Sequence, residues 1–310
     1  MAALMKEREE VPEGFDQPTA LPASAEERQR WQKANREWWE SHPMRYDWKA
    51  GIPFAEFSKE FYAEIDRRFF AAVALYAPCR KIPFDWLIDF DSLRTKDVLE
   101  IGVGNGSHAQ LLAAHAKSFT GIDLTEYAVR STSERLRVFG LSGSVERMDA
   151  EQLRFADSSF DLIWTWGVIH HSANTRKILE EMRRVLRPGG EAVVMVYHRS
   201  FWKYYVQGGM LAFLSGRILK PAALHASIQS GTDGAIARYY TRREWEQLVS
   251  DLFFVKDVRV YGQKTDVAPL PPGRAKNFLV ANIPNSFSRF LTNTCRWGSF
   301  LVTRLHKEAA

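Results

Sequence analysis

The chain has only two cysteines among its 310 residues, Cys79 and Cys295, and they lie far apart in sequence. Two cysteines at that separation make neither a zinc site by themselves nor a disulfide framework, and unpaired thiols suit a reducing compartment. No stretch approaches the ~18 uninterrupted apolar residues that a membrane-spanning helix needs. The start, Met1 to Asp16, is charged and broken by Pro12 and Gly14, so it lacks the apolar core of a signal peptide. A cytoplasmic location is the expectation. There is no internal repeat, no low-complexity tract, and no strong excess of charge. The 42 Lys and Arg residues against 37 Asp and Glu leave a net +5, which favours anionic partners weakly and serves solubility equally well. Neither an RNA-recognition motif nor a dense basic stripe is present, and no nucleic-acid partner is expected. The sequence requires no metal.

The organising stretch is Asp97-Val98-Leu99-Glu100-Ile101-Gly102-Val103-Gly104-Asn105-Gly106-Ser107. Val98, Leu99 and Ile101 form the apolar run of a parallel strand covered on both faces. Gly102, Gly104 and Gly106 then bend the chain and remove the β-carbons that would hold a ligand away from the backbone. A helix opens near Ser107, its first N–H groups turned toward that bend. A second apolar strand, Phe119 to Asp123, ends in a carboxylate about 20 residues after the first glycine, the spacing that serves ribose hydroxyls. A strict dinucleotide fingerprint wants Gly or Ala where Ser107 stands, which disfavours an NAD-linked reductase.

Further strands are expected near 143–148, 159–165 and 191–197, with helices near 107–116, 125–139 and 174–187, the alternation of a doubly wound sheet. A ligand should sit above the carboxyl ends of the first and fourth strands, at the topological switch point. Residues 1–23, with three prolines, read as a flexible leader. Ser24 followed by Glu27 has the capping-box pattern and opens a helix to about Ser41. A second helix starts near Ser58, spacing Phe61, Ile65, Phe69, Val73 and Tyr76 at helical intervals. Residues 198–237 interrupt the alternation with an insertion rich in aromatic and apolar groups. A helix over 241–252 and two strands, 254–261 and 277–283, follow. The last stretch, 286–310, reads as an amphipathic helix with Phe287, Phe290, Leu291, Leu301, Val302 and Leu305 on one side.

In order, Glu100-Ile-Gly-Val-Gly-Asn-Gly106, Gly121-Ile-Asp123-Leu124, Met148-Asp149-Ala150, Phe160-Asp-Leu-Ile-Trp164 and Leu186-Arg-Pro-Gly-Gly190 resemble the motifs of class I S-adenosylmethionine-dependent methyltransferases. The relatives most alike are the small-molecule branch, including ubiquinone/menaquinone-biosynthesis and natural-product sugar methyltransferases. The resemblance spans roughly residues 84–200 and continues more weakly to about 285. It implies an α/β, Rossmann-like, seven-stranded sheet with its last strand antiparallel, an N-terminal helical lid over 24–82, a methyltransferase domain over 83–285, and C-terminal accessory helices. S-adenosylmethionine is the implied cofactor. Glu100 would approach its amino group, while Gly102, Gly104 and Gly106 would cradle its methionine part. Asp123 and Leu124 would serve the ribose, Asp149 and Ala150 the adenine, and Trp166 the methionine end. Tyr46 and Trp48 are the lid aromatics nearest the cofactor. The competing readings are a helix cap for Asp123, a loop cap for Asp149, and plain packing for the aromatics.

On the acceptor side, related sugar O-methyltransferases carry a His-His pair where this chain has His170 and His171, acting there as base. A neutral imidazole suits removal of an alcohol proton near pH 7. The alternative is that one ring caps the helix near Asn174 and the other is exposed. His198 and Tyr197 are lesser candidates. The Asn/Asp-Pro-Pro-aromatic run of planar-amine methyltransferases is absent; Trp164-Thr-Trp-Gly167 stands there instead. The implied reaction is O-methylation of a small-molecule or lipid-linked acceptor, with C-methylation of a quinone-like or isoprenoid acceptor as the alternative. From another class stands a non-catalytic module that keeps the fold. The insertion and last helix suit a hydrophobic acceptor, peripheral contact with a membrane, or an oligomer contact, and the oligomeric state is left open.

Overall fold

The structure is a computed structural model that describes residues 11–47, 50–77, 79–214, 223–268, 270 and 273–309. Trp48 and the first ten residues lie outside the described residues. Two helices come first, α1 (Ala25–Ser41) and α2 (Lys59–Tyr76), each opened by a serine whose side chain accepts an N–H of the first turn: Ser24 from Glu27 and Ser58 from Phe61. The alternating region follows as β1 (Asp97–Ile101), α3 (Ser107–Ala113), β2 (Ser118–Asp123), α4 (Glu126–Phe139), β3 (Ser144–Arg147), β4 (Phe160–Trp166), α5 (Thr175–Val185) and β5 (Leu186–His198). A π-helical turn over Phe201–Gln207 leads into α6 (Gly208–Leu214), α7 (Ala223–Gln229), a two-residue β6 (Tyr239–Tyr240) and α8 (Arg242–Val249). The chain closes with β7 (Phe254–Tyr261), α9 (Arg274–Asn282), α10 (Asn285–Arg289) and β8 (Phe300–His306).

The strands form one sheet in the order β3-β2-β1-β4-β5-β8-β7, with β6 added beside the end of β5. The pairings from β3 to β5 are parallel, and β8 runs antiparallel to both β5 and β7. The seven-stranded doubly wound sheet with an antiparallel last strand is therefore present. Two apolar cores cover its faces, one around Leu99, Ile163, Leu179 and Trp245, the other around Val98, Leu162, Trp164 and Phe84.

Three sequence expectations need correction. The antiparallel strand is Phe300–His306, not 277–283, and 277–283 belongs instead to α9 and its C-terminal end. The amphipathic helix expected over 286–310 ends as a short helix and a π turn at Thr294. Its apolar residues Leu301, Val302 and Leu305 suit a helix face and a two-sided buried strand alike. Pairing decides: seven residues of β8 lie opposite residues of β5 and of β7, and Gly298 sits where a β-carbon would strike the Tyr261 carbonyl. The leader is also not loose from Val11 onward. Phe15 is buried against Trp31, and the Ala20 carbonyl accepts from Arg238 Nε and Nη2 at 2.9 and 2.8 Å. Arg238 is fully buried and spends its donors on carbonyls of residues 20, 172 and 173, so the early segment supplies acceptors that a buried guanidinium requires.

Candidate active site

The turn after β1 is held down at its start, where Gly102 N and Val103 N donate to the Ile122 carbonyl at 2.8 and 3.3 Å. All three glycines take positive φ, +81°, +53° and +78°. Each has its own reason. A β-carbon on Gly102 would meet the Val168 side chain at 2.3 Å, and one on Gly106 would press on Arg135 and Thr132 at 3.0 Å. A β-carbon on Gly104 would meet no protein atom within 4 Å, because Gly104 faces a cavity of about 300 Å³.

That cavity lies over the carboxyl ends of β1, β2, β4 and β5 and beneath α1 and α2. Of the residues expected there, Tyr46, Gly102, Gly104, Asp123, Leu124, Asp149, Ala150, Trp166 and His171 line it, as does Tyr197. Glu100, Gly106, His170 and His198 are not among the residues that line it. Asp123 Oδ2 accepts from Gly104 N at 3.2 Å, and Oδ1 accepts from Thr125 N and Oγ1 at 3.0 and 2.9 Å. The cap of α4 is Thr125, whose hydroxyl accepts from Ala128 N, so Asp123 is fixed by its neighbours without being the cap. Three accepted bonds leave a carboxylate with acceptor capacity toward the cavity. Burial raises the Asp123 pKa against the pull of those N–H groups. Asp149 Oδ1 accepts from Glu151 N and from Gln32 Nε2, both at 2.9 Å.

Glu100 is 1% exposed, and its Oε1 lies 3.6 Å from His108 Nδ1. The two do not form an ion pair. Burial, reinforced by Asp123, pushes the Glu100 carboxyl well up, while burial pushes the His108 ring down to about 3. The His108 ring is therefore neutral near pH 7.

The two histidines follow β4 in a short 3-10 turn, Ile169–His171. His170 is fully buried, with its ring 4.2 Å from that of His171 and 4.0 Å from that of Tyr197. His171 Nδ1 lies 2.7 Å from the Ile236 carbonyl. A carbonyl only accepts, so Nδ1 carries the proton and Nε2 keeps its lone pair. Nε2 has no protein partner. Burial pushes the His171 ring down to about 4 against the Ile236 bond, and Arg238 adds to the depression. The helix after them is capped by Asn174, not by either histidine.

Sequence reasoning missed several residues of the wall. Gln32, Asn35 and Trp39 reach the cavity from α1, and the buried Asn35 Oδ1 has no partner. Their spacing of three and four puts them on one helix face, a signal that was open to a reading of polar as well as apolar periodicity. Asn105 ties the glycine turn to the chain above it: Nδ2 donates to the Met44 carbonyl at 2.7 Å, and Oδ1 accepts from Ser131 Oγ at 2.8 Å. Asp233, from the insertion, also lines the cavity. Among the described residues, no group of three or more His, Cys, Asp or Glu is arranged to hold a metal ion, and no helix is long and apolar enough to cross a membrane.

Residues 99–194 match the methyltransferase domain family. Over 97 residues the chain is 40% identical to a phthiotriol/phenolphthiotriol dimycocerosates methyltransferase of Mycobacterium tuberculosis, covering 31% of this chain and 35% of the relative. It is 35% identical over 102 residues to the 27-O-demethylrifamycin SV methyltransferase of Amycolatopsis mediterranei, covering 32% and 38%. It is 34% identical over 100 residues to a phosphatidylethanolamine N-methyltransferase of Cereibacter sphaeroides, covering 32% and 49%. These matches span between a third and a half of the relatives' own length. Among solved structures, an S-adenosylmethionine-dependent methyltransferase from Methanosarcina mazei superposes with a TM-score of 0.50 at 20% identity, over 75% of this chain and 99% of that one, a likeness of fold. Residues 99–194 of this chain, built around the glycine turn and the cavity above it, match the methyltransferase domain family, and the sheet they belong to has the fold of an S-adenosylmethionine-dependent methyltransferase.

Proposed function

We propose that this chain transfers a methyl group from S-adenosylmethionine to a hydroxyl oxygen of an apolar small-molecule or lipid-linked acceptor, with His171 as the base. The residues of the cavity suit the cofactor. Gly104 leaves its side-chain space open for the methionine part. Asp123 has acceptor capacity for ribose hydroxyls, and Asp149 with Ala150, Leu124 and Met148 offers an acidic edge between apolar walls for adenine. Residues 24–82 serve as the lid, with Tyr46 and Gln32 turned inward. The cofactor supplies a methyl already activated on a sulfonium, so the protein's task is position and proton removal.

The observation that carries the reading is the Nδ1–H donation from His171 to the Ile236 carbonyl, which leaves an unpartnered Nε2 lone pair on a ring of the cavity wall. Nε2 takes the proton of the acceptor hydroxyl as the new C–O bond forms, and the Ile236 carbonyl steadies the imidazolium through Nδ1. His170, behind it, packs the ring in place. The acceptor class draws support from the relatives, named for phthiotriol, 27-O-demethylrifamycin SV and phosphatidylethanolamine. The test is turnover of methyl-labelled cofactor against a panel of lipid and polyketide alcohols, with the product's methyl located by NMR. His171→Gln keeps a donor for Ile236 and should lower kcat by about 10²–10⁴ while cofactor affinity changes little. Unaltered turnover in that variant, or a product methylated at carbon, overturns the assignment.

A further inference from the structure

The helix α9, Arg274-Ala-Lys-Asn-Phe-Leu-Val-Ala-Asn282, buries none of its residues, although four consecutive positions, Phe278 to Ala281, are apolar. Phe278 is 74% exposed and Leu279 40%. An isolated exposed apolar side chain needs no explanation, but this one has company. Phe287 and Phe290 stand about half exposed just downstream, and Phe201, 76% exposed, stands beside Tyr205 on the π turn of the insertion.

One short turn, Lys264–Val267, gathers these pieces. It contacts α9, α10 and the π turn Phe290–Thr294. It also receives the insertion, through Trp202 Nε1 donating to the Val267 carbonyl at 3.3 Å and Gln207 Nε2 donating to the Asp266 carbonyl at 2.7 Å. Gln263, which begins this turn, is exposed and lines the cavity, as do Tyr76 and Phe300 nearby. The apolar surface therefore adjoins the rim of the site.

The charge in the two stretches that build this surface has one sign. No Asp or Glu occurs from residue 192 to 232 or from 267 to 307, although the chain holds 37 of them. Over the same two stretches lie Lys203, Arg274, Lys276, Arg289 and Arg296. Asp266, the carboxylate of the gathering turn, is buried and occupied by Gln263 N, Ser299 N and Oγ, and Lys203. Exposed phenylalanines in stretches that carry cations and no anions match the interface of an anionic bilayer, where rings enter the acyl boundary and cations meet headgroups. A second copy of the same basic face would meet like charge.

We propose that the surface formed by α9, α10 and the π turn at Phe201–Gln207 adsorbs to an anionic lipid bilayer and sets the rim of the cavity against it. This gives the lipid-linked acceptor of the proposed function its route of entry, but adsorption itself stands apart from turnover and is measured without cofactor.

The test is co-flotation of the full chain with vesicles of phosphatidylcholine alone and of phosphatidylcholine with phosphatidylglycerol, at low and high salt. Binding is expected to the mixed vesicles, weakening with salt. Arg274→Gln with Lys276→Gln should weaken it about 30-fold, each cation near the surface counting for roughly a factor of five. Phe278→Ser with Phe287→Ser should weaken it at least as much. All four side chains lie outside the core, and an unchanged melting curve verifies the fold. Equal binding to neutral vesicles, no binding at low salt, or indifference to both double variants overturns the proposal. So does a lipid-free dimer that the phenylalanine substitutions dissociate, since the face would then belong to a second copy.

Discussion

At the scale of residues, the site is a set of polar groups whose environments are fixed by single partners. That Asp123, Asp149 and His171 line the cavity was legible in the sequence because each follows a strand end within a recurrent motif, and such positions are set by local chain geometry. Asn35 and Asn105 were not legible. Their roles depend on a helix from one end of the chain meeting a turn from its middle, which no local pattern records. Glu100 is a motif residue of another kind: its carboxyl is buried beside His108, which lines the cavity, while Glu100 itself does not. The buried histidines give a prediction in pH. His171 binds its proton with a pKa of about 4 in the folded chain against an ordinary value of 6.5, chiefly through desolvation. The unfolded chain therefore takes up the proton first. The stability that the neutral ring contributes is complete above 6.5 and is lost as pH falls toward 4. Glu100 and Asp123, raised by burial, work in the other direction, their contribution fading as pH rises. Comparison with His171→Gln isolates the one ring. Between pH 7 and pH 5 the wild type should lose about 2 kcal/mol more than the variant in denaturant melts. Equal losses would mean that the ring is not held neutral.

At the scale of elements, the strands and helices of the alternating region could be read from apolar runs and glycine turns because neighbours in sequence are neighbours in the sheet. The C-terminal part could not be read in this way. Residues 277–283 look like a strand and 300–306 like part of a helix, and the assignment reverses because the slot between β5 and β7 takes the segment with long ladders on both sides. Helix α9 is what remains when the more strand-like sequence is left out of the sheet. The glycine turn gives a sharper comparison. Gly102→Ala pushes a β-carbon into Val168 at a φ of +81°, and should cost about 1–3 kcal/mol of stability. Gly104→Ala meets no protein atom, so it should cost about 1 kcal/mol of stability but weaken cofactor affinity more than tenfold by filling the cradle. Thermal melts and calorimetric titration separate the two effects. A variant at Gly104 that binds as tightly as wild type would place the cofactor elsewhere.

At the scale of the molecule, the N-terminal helices close over the sheet through a few directional contacts. Gln32 bridges Asp149 Oδ1 and Ala173 N at 2.9 and 3.0 Å. Glu40 accepts from Glu126 N and Tyr127 N at 2.8 and 3.0 Å, Tyr62 donates to the Ser131 carbonyl at 2.6 Å, and Arg135 pairs with Asp66. These bonds join α1 and α2 to α4 and to the loops that line the cavity. The leader was misread for a related reason: its few apolar residues look insufficient until Arg238, more than 200 residues away, is seen to need the Ala20 carbonyl. In the proposed function a sulfonium nucleoside lies in the cavity with its sugar on Asp123. Calorimetric titration of the chain with S-adenosylmethionine tests that most directly. The wild type should bind one equivalent, and Asp123→Ala should lose about 10- to 100-fold in affinity, the worth of a charged acceptor to hydroxyl donors. Absence of saturable binding by the wild type, or equal affinity in the variant, would contradict it.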